Sequence, residues 1–142
     1  MRYYLSIGAN LGEREVTIHQ SLELIEQQIG HITRCSSFYY SAPWGFESEH
    51  AFCNICCSVE TELEPFAMLA ATQAIERQLG RTHKSVNQQY TDRTIDIDII
   101  KAFDEEGNEI RVESPELTIP HPLWQQRDFV CEPLKDISEP EN

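Results

Sequence analysis

Basic residues are scarce in this chain. Its 142 residues hold 11 Lys plus Arg against 24 Asp plus Glu, for a net charge of −13. Binding along a nucleic acid needs an extended basic stripe, so a nucleic-acid partner is excluded, and an anionic membrane surface is equally unsuitable. Long apolar runs are missing too. None approaches the ~18 residues that would span a bilayer. The start, Met1-Arg2-Tyr3-Tyr4-Leu5-Ser6-Ile7, enters a strand-like pattern at once and has no signal-peptide character. A cytoplasmic location is therefore expected. Cysteine is neither absent nor paired off. The five are Cys35, Cys53, Cys56, Cys57 and Cys131, an odd number that does not describe a disulfide framework. Cys53 and Cys56 have metal-site spacing, but no second pair or His-x-x-x-His follows, so a closed zinc site lacks ligands. They lie in a strand-like stretch, where thiols act as small buried hydrophobes.

What is present is concentrated between Tyr90 and Lys101. From Thr94 the residues alternate: Ile95, Ile97 and Ile99 share one face of a strand, and Asp96 and Asp98 share the other. One face suits a core. The other carries two neighbouring carboxylates, which repel unless a cation sits between them. Mg²⁺ prefers carboxylate oxygen and usually brings a nucleotide phosphate with it. Arg93 at the strand entrance is placed to meet that phosphate. The ordinary alternative is a strand whose polar face is simply solvated.

The rest of the chain alternates strands and helices. Tyr3 to Ile7 is a first strand, broken by the turn residues Gly8-Ala9-Asn10-Leu11-Gly12. A helix follows with Ile18, Leu22, Ile25 and Ile29 on one stripe and Gly30 as its stop. Ile32 to Tyr40 is a second strand, Ser41 to His50 a loop and Phe52 to Glu62 a third strand. Pro65 opens a second helix, lined by Leu69, Thr72, Ile75 and Leu79 and ended by Gly80. Arg81 to Arg93 is a polar loop, and the Asp-x-Asp strand comes fourth. Asp104 to Asn108 is a hairpin turn. The pattern predicts one α+β domain over residues 1–142, a ferredoxin-like β-α-β-β-α-β sandwich with a mainly antiparallel sheet. Pro115, Pro120, Pro122 and Pro133 predict an irregular C-terminal extension with little regular structure beyond a short element near Trp124 to Cys131. Residues 136–142 are expected to fray.

Six segments in order resemble the 6-hydroxymethyl-7,8-dihydropterin pyrophosphokinase family. They are Ile7 to Gly12; Ser36 to Tyr39 leading to Ala42-Pro43-Trp44-Gly45; Phe52-Cys53-Asn54; Ile75 to Arg81; Asp92 to Ile99; and Leu117 to Pro122 running to Arg127-Asp128-Phe129-Val130. The resemblance covers residues 1 to about 135. It implies Mg²⁺-dependent transfer of pyrophosphate from ATP to the hydroxymethyl group of a reduced pterin, leaving AMP, in folate biosynthesis.

By that resemblance Asp96 and Asp98 hold two Mg²⁺ ions, with Asp96 also near the pterin, and Arg81 and Arg93 join them as catalytic residues. ATP contacts would come from Gln73, Glu76, Arg81, His83, Lys84, Arg93, Thr118, His121 and Arg127. Arginine suits this because its fork makes paired bonds to phosphate oxygens. Pterin contacts would come from Ser41, Ala42, Pro43, Trp44, Phe52, Asn54 and Phe129. Asn54 is a carboxamide in an apolar strand, able to donate and accept toward a pyrimidinone edge. Phe52 and Phe129 match the rings that sandwich the pterin; without the resemblance both read as core. Likewise Gln73 and Glu76 read as a solvated helix face, and each basic residue as surface charge.

The loop 81–93, with Tyr90 where many relatives have Trp, is expected to close over ATP. Pro122 stands where some relatives have Tyr. Partners are the two small-molecule substrates, and a monomer is expected. Two other classes fit parts of the pattern. A non-catalytic ferredoxin-like module leaves Asp96 and Asp98 beside Arg93 unexplained. A metal-dependent nucleotidyl or glycosyl transferase leaves Asn54 and the Ala42–Gly45 loop unexplained.

Overall fold

The computed structural model describes residues 1–9, 13–41, 52–80 and 95–138. Its main sheet is antiparallel throughout, with strand order β2-β4-β1-β5. The strands are β1 (Arg2–Ala9), β2 (His31–Cys35), β4 (Phe52–Glu60) and β5 (Asp96–Phe103), and β3 (Tyr39–Ser41) pairs with the other end of β4. Helices α1 (Arg14–Gln28) and α2 (Pro65–Gln78) join β1 to β2 and β4 to β5.

Period-two alternation gives the sheet two different faces. Tyr3, Leu5, Ile7 and Ala9 of β1, Ile55, Cys57 and Val59 of β4, and Ile97 and Ile99 of β5 are buried against Ile18 and Ile25 of α1 and Met68 and Ile75 of α2. The other face carries Tyr4, Cys56 and Ile100, covered by Val130, Leu134 and Ile137 of α3 (Asp128–Ile137). The α2 stripe runs through Met68, Thr72, Ile75 and Glu76, with Leu69 and Leu79 at its margins, so the expected stripe is rotated slightly. Pro65 stands at the start of α2, and Gly80, at φ 106°, follows its end. That left-handed backbone suits glycine.

Several expected boundaries move. Gly8 and Ala9 belong to β1 and are not part of a turn. The single second strand is two, because Ser36 leaves the ladder. Its backbone N–H bonds Cys56 O at 2.9 Å, while its Oγ accepts from Cys56 N at 2.9 Å. The expected turn is present: Asp104 Oδ1 accepts from the amides of Glu106 and Asn108, and Gly107 has φ 86°.

The tail is more regular than its prolines suggest. Residues β6 (Val112–Glu113) and β7 (Thr118–Ile119) pair, a short 3-10 turn spans Trp124–Gln126, and α3 continues through Pro133. Asp136 and Ile137 are helical instead of frayed. Ile137 is buried, and Asp136 accepts from Ser37 Oγ at 2.9 Å. Residues 139–142 lie outside the described residues.

Within β5 the register against β1 shifts: Leu5 faces Ile99 and Tyr4 faces Lys101, leaving Ile100 as an extra residue. Such a bulge inserts one residue and reverses the alternation beyond it. Ala102 thereby returns to the helix-covered face, and Lys101 joins the α3 side, where its Nζ lies 5.1 Å from the Tyr4 ring centroid, 5.5 Å from that of Trp124 and 5.8 Å from that of Phe103.

Candidate active site

The α3-side face, at the end where β5 begins, collects most of the expected residues that the structure describes. Tyr39, Asn54, Gly8 and Asp96 form one row across β3, β4, β1 and β5. Cys56, Ser6 and Asp98 form the next. The alternation in β5 holds as expected: Ile95, Ile97 and Ile99 are buried, while Asp96 is partly exposed on the opposite face.

Asn54 is only 4 % exposed, and its Nδ2 has no hydrogen-bond partner among the described residues. An orphaned buried amide donor costs about 1–3 kcal/mol. Its space is made by Gly8, where a Cβ would collide with Asn54 Oδ1 and lie 3.3 Å from its Cγ. Gly8 is therefore a site-shaping residue that reading it as a turn glycine missed. The available signal was a glycine inside a run of buried strand positions, which marks close approach of another group.

The segment after β7 supplies the basic side. His121 N bonds Ile100 O at 2.7 Å, and its Nδ1 accepts from Leu123 N at 3.1 Å. An accepting Nδ1 leaves the neutral ring with its proton on Nε2, ready to donate. Burial, then the Arg127 guanidinium, hold His121 below its ordinary pKa of 6.5, while Asp96 opposes them. The imidazole thus lies within electrostatic reach of both. Arg127 precedes α3, and its guanidinium carbon lies 5.7 Å from the Phe129 ring centroid. Phe129 is half-buried against the Tyr4, Cys56 and Ile100 cluster, and half-buried Phe52 lies two residues before Asn54 on the same face of β4.

The other expected residues are more dispersed. Ser41 pairs with Phe52 at the end of β3. Thr118 is exposed on β7 and donates to Ser114 O at 3.4 Å. Gln73 is exposed on α2, whereas Glu76 is buried and its Oε2 accepts from Ile97 N at 2.7 Å, so a solvated helix face does not describe Glu76. Ala42, Pro43, Trp44, Arg81, His83, Lys84, Tyr90 and Arg93 lie outside the described residues, as does the whole loop 81–93.

No group of three or more His, Cys, Asp or Glu gathers for a metal among the described residues. Asp96 and Asp98 on one strand face still fit Mg²⁺, which takes one or two carboxylates and completes its shell with water and phosphate. The thiols fit no such role. Cys53, Cys56 and Cys57 are buried, and burial pushes the Cys56 thiol to about 12. No helix of the described residues is long and apolar enough to cross a membrane.

A family model described as 7,8-dihydro-6-hydroxymethylpterin-pyrophosphokinase matches residues 4–139. The chain belongs to this pyrophosphokinase family. The 2-amino-4-hydroxy-6-hydroxymethyldihydropteridine pyrophosphokinase of Porphyromonas gingivalis is 47 % identical over 135 residues, covering 95 % of this chain and 89 % of that protein. The Bacillus subtilis protein of the same name is 36 % identical, covering 96 % and 77 %. A solved structure described as HPPK-DHPS in complex with substrates shares the fold, at a TM-score of 0.68 and 16 % identity, over 96 % of this chain and 40 % of that one. The chain is thus an enzyme, a pyrophosphokinase of folate biosynthesis.

Proposed function

We propose that this pyrophosphokinase transfers the terminal pyrophosphate of ATP to 6-hydroxymethyl-7,8-dihydropterin in an Mg²⁺-dependent reaction, on a ferredoxin-like single domain that acts as a monomer. The pterin hydroxyl oxygen attacks the β-phosphorus, the bond from that phosphorus to the α,β-bridging oxygen breaks, AMP departs, and the hydroxyl proton is lost. The observation that carries this assignment is Asn54. Its buried, unpartnered Nδ2 stands in one row with Gly8 and Asp96. A donor without a partner among the described residues, one strand beyond Gly8 from a carboxylate in the same row, suits a polar heterocycle whose reacting arm extends toward that carboxylate.

Asp96 and Asp98 would hold the cation, two ions in this assignment, with Asp96 also beside the pterin. Bound there, Mg²⁺ supplies neutralisation of phosphate charge and acidifies the hydroxymethyl group. Such chemistry needs positioning more than covalent help. Arg127 offers a paired-donor fork and His121 an Nε2–H toward phosphate oxygens. Their separate chemistry suits an anion that a protein of net charge −13 would otherwise repel. Phe129 and Phe52 supply aromatic surface on the face where the pterin would lie. Ser41, Ala42, Pro43 and Trp44 would complete the pterin side; Gln73, Thr118, Arg81, His83, Lys84 and Arg93 would belong to the ATP side, with Arg81 and Arg93 catalytic, Tyr90 in the closing loop, and Glu76 serving that side from behind, through the Ile97 amide.

Isothermal titration tests the assignment. Asn54→Ala is expected to weaken reduced-pterin binding by about 1–3 kcal/mol, from lost hydrogen bonding, and to leave binding of a non-hydrolysable ATP analogue near that of the unmodified protein. Unchanged pterin affinity in a folded Asn54→Ala protein would return Asn54 to the core.

A further inference from the structure

Strand β5 is the last in its sheet. β1 lies on one side, and among the described residues no strand of that sheet lies beyond it. A backbone N–H on such an edge needs water or a side chain as partner. Ile97 N donates at 2.7 Å to Glu76 Oε2, so this amide points away from β1 toward α2. Glu76 is 7 % exposed and shares the α2 packing stripe with Met68, Thr72 and Ile75. An apolar residue would pack there at less cost, because a buried carboxylate is expensive unless it is hydrogen-bonded. The bond that it accepts from Ile97 N is at the short end for an N–H···O bond.

The position of that bond is informative. Ile97 stands between Asp96 and Asp98, and its N–H belongs to the peptide joining Asp96 to Ile97. Holding this peptide plane fixes the backbone from which both carboxylates project. The two side chains repel each other, so a loose strand would let them splay.

We propose that Glu76 is a positioning residue for the Asp96–Asp98 pair: by capping the Ile97 N–H from α2 it fixes the strand segment that would hold the cation. This rests on Asp96 and Asp98 being the cation ligands, and it makes Glu76's part in nucleotide use indirect. The partners behind a ligand commonly contribute 10–100-fold to metal affinity.

Two variants separate the possibilities. Glu76→Gln keeps an acceptor oxygen at the same place, whereas Glu76→Ala removes it. In ligand-free protein, hydrogen exchange at the Ile97 amide is expected to quicken at least tenfold in Glu76→Ala and to stay near the unmodified rate in Glu76→Gln. Mn²⁺ titration followed by electron paramagnetic resonance is expected to show binding weakened about 10-fold or more in Glu76→Ala, with Glu76→Gln largely restoring it. Metal-free binding of an ATP analogue should be alike in all three. Faster exchange at Ile97 with unaltered Mn²⁺ affinity would overturn the inference and leave the Asp96–Asp98 site standing. Lost ATP-analogue affinity with Ile97 still protected would overturn it in favour of direct nucleotide contact. Absence of Mn²⁺ binding by the unmodified protein would overturn both the site and the inference.

Discussion

Gly8 contributes by what it lacks. Its missing Cβ leaves room for the Asn54 carboxamide in the row that ends at Asp96. Gly8→Ala must displace Asn54, at an expected cost of about 1–3 kcal/mol from overpacking. Chemical denaturation should show that loss, and titration should show weaker pterin binding with ATP-analogue binding little changed. Asp96→Ala and Asp98→Ala each remove a cation ligand. AMP formation from ATP and the pterin is expected to fall about 10³-fold or more, several kcal/mol of transition-state stabilisation, while circular dichroism stays native. Near-normal turnover by either folded variant would refute the metal assignment. The two carboxylates were legible because period-two alternation is a local pattern that the strand reproduces. The part played by Gly8 was not, since which side chain lies across a glycine depends on strand register, and register is set by distant residues. Glu76 was singled out by resemblance, but its bond to the Ile97 amide was hidden for a related reason. A charged residue on a helix reads as solvated until an edge-strand amide is known to face it.

At the scale of elements, β4 carries Cys53, Cys56 and Cys57, all buried. Burial raises each of these thiols above its ordinary pKa, to about 12 for Cys56 and well above the ordinary value for Cys57. Thiolates are the reactive form, so an aromatic disulfide reagent should label exposed Cys35 first and leave these three untouched until the protein is unfolded. Fast labelling of three or more thiols in native protein would contradict the packing of β4. The two helices and the β1, β4 and β5 strands could be placed from apolar spacing alone. The break between β2 and β3 could not, because it depends on Ser36 Oγ replacing a ladder partner for Cys56 N. In α3 the stripe Val130, Pro133, Leu134 and Ile137 has helical spacing, but Pro133 argues against a helix when considered locally. Burial of that stripe against Tyr4, Cys56 and Ile100 outweighs the lost backbone bond.

For the molecule as a whole, the first strand is tied to the β4–α2 connection at several points. Tyr3 OH donates to Leu63 O at 2.7 Å, and the Met1 ammonium donates to Thr61 O at 2.8 Å. Burial, aided by Glu64, raises the Tyr3 phenol to about 12. The unfolded chain ionises this group near pH 10, so its contribution is fully present below about pH 10 and is lost as pH rises toward 12. Urea midpoints should fall across that window and fall less in Tyr3→Phe, which should itself cost about 1 kcal/mol at neutral pH. A different division of the molecule follows from the β5 bulge. Ile100 is the extra residue; its carbonyl holds His121 N, and its side chain packs with Val130, Leu134 and Ile137. Removing Ile100 would restore plain alternation without moving any other β5 residue to the wrong face. The sheet with α1 and α2 should therefore survive that deletion, while the C-terminal segment bearing His121, Arg127 and Phe129 loses one of its attachments and keeps those to Tyr4, Cys56 and Ser37. One residue thus works as a rivet, one of several, between a self-consistent scaffold and the segment that carries the basic side of the site.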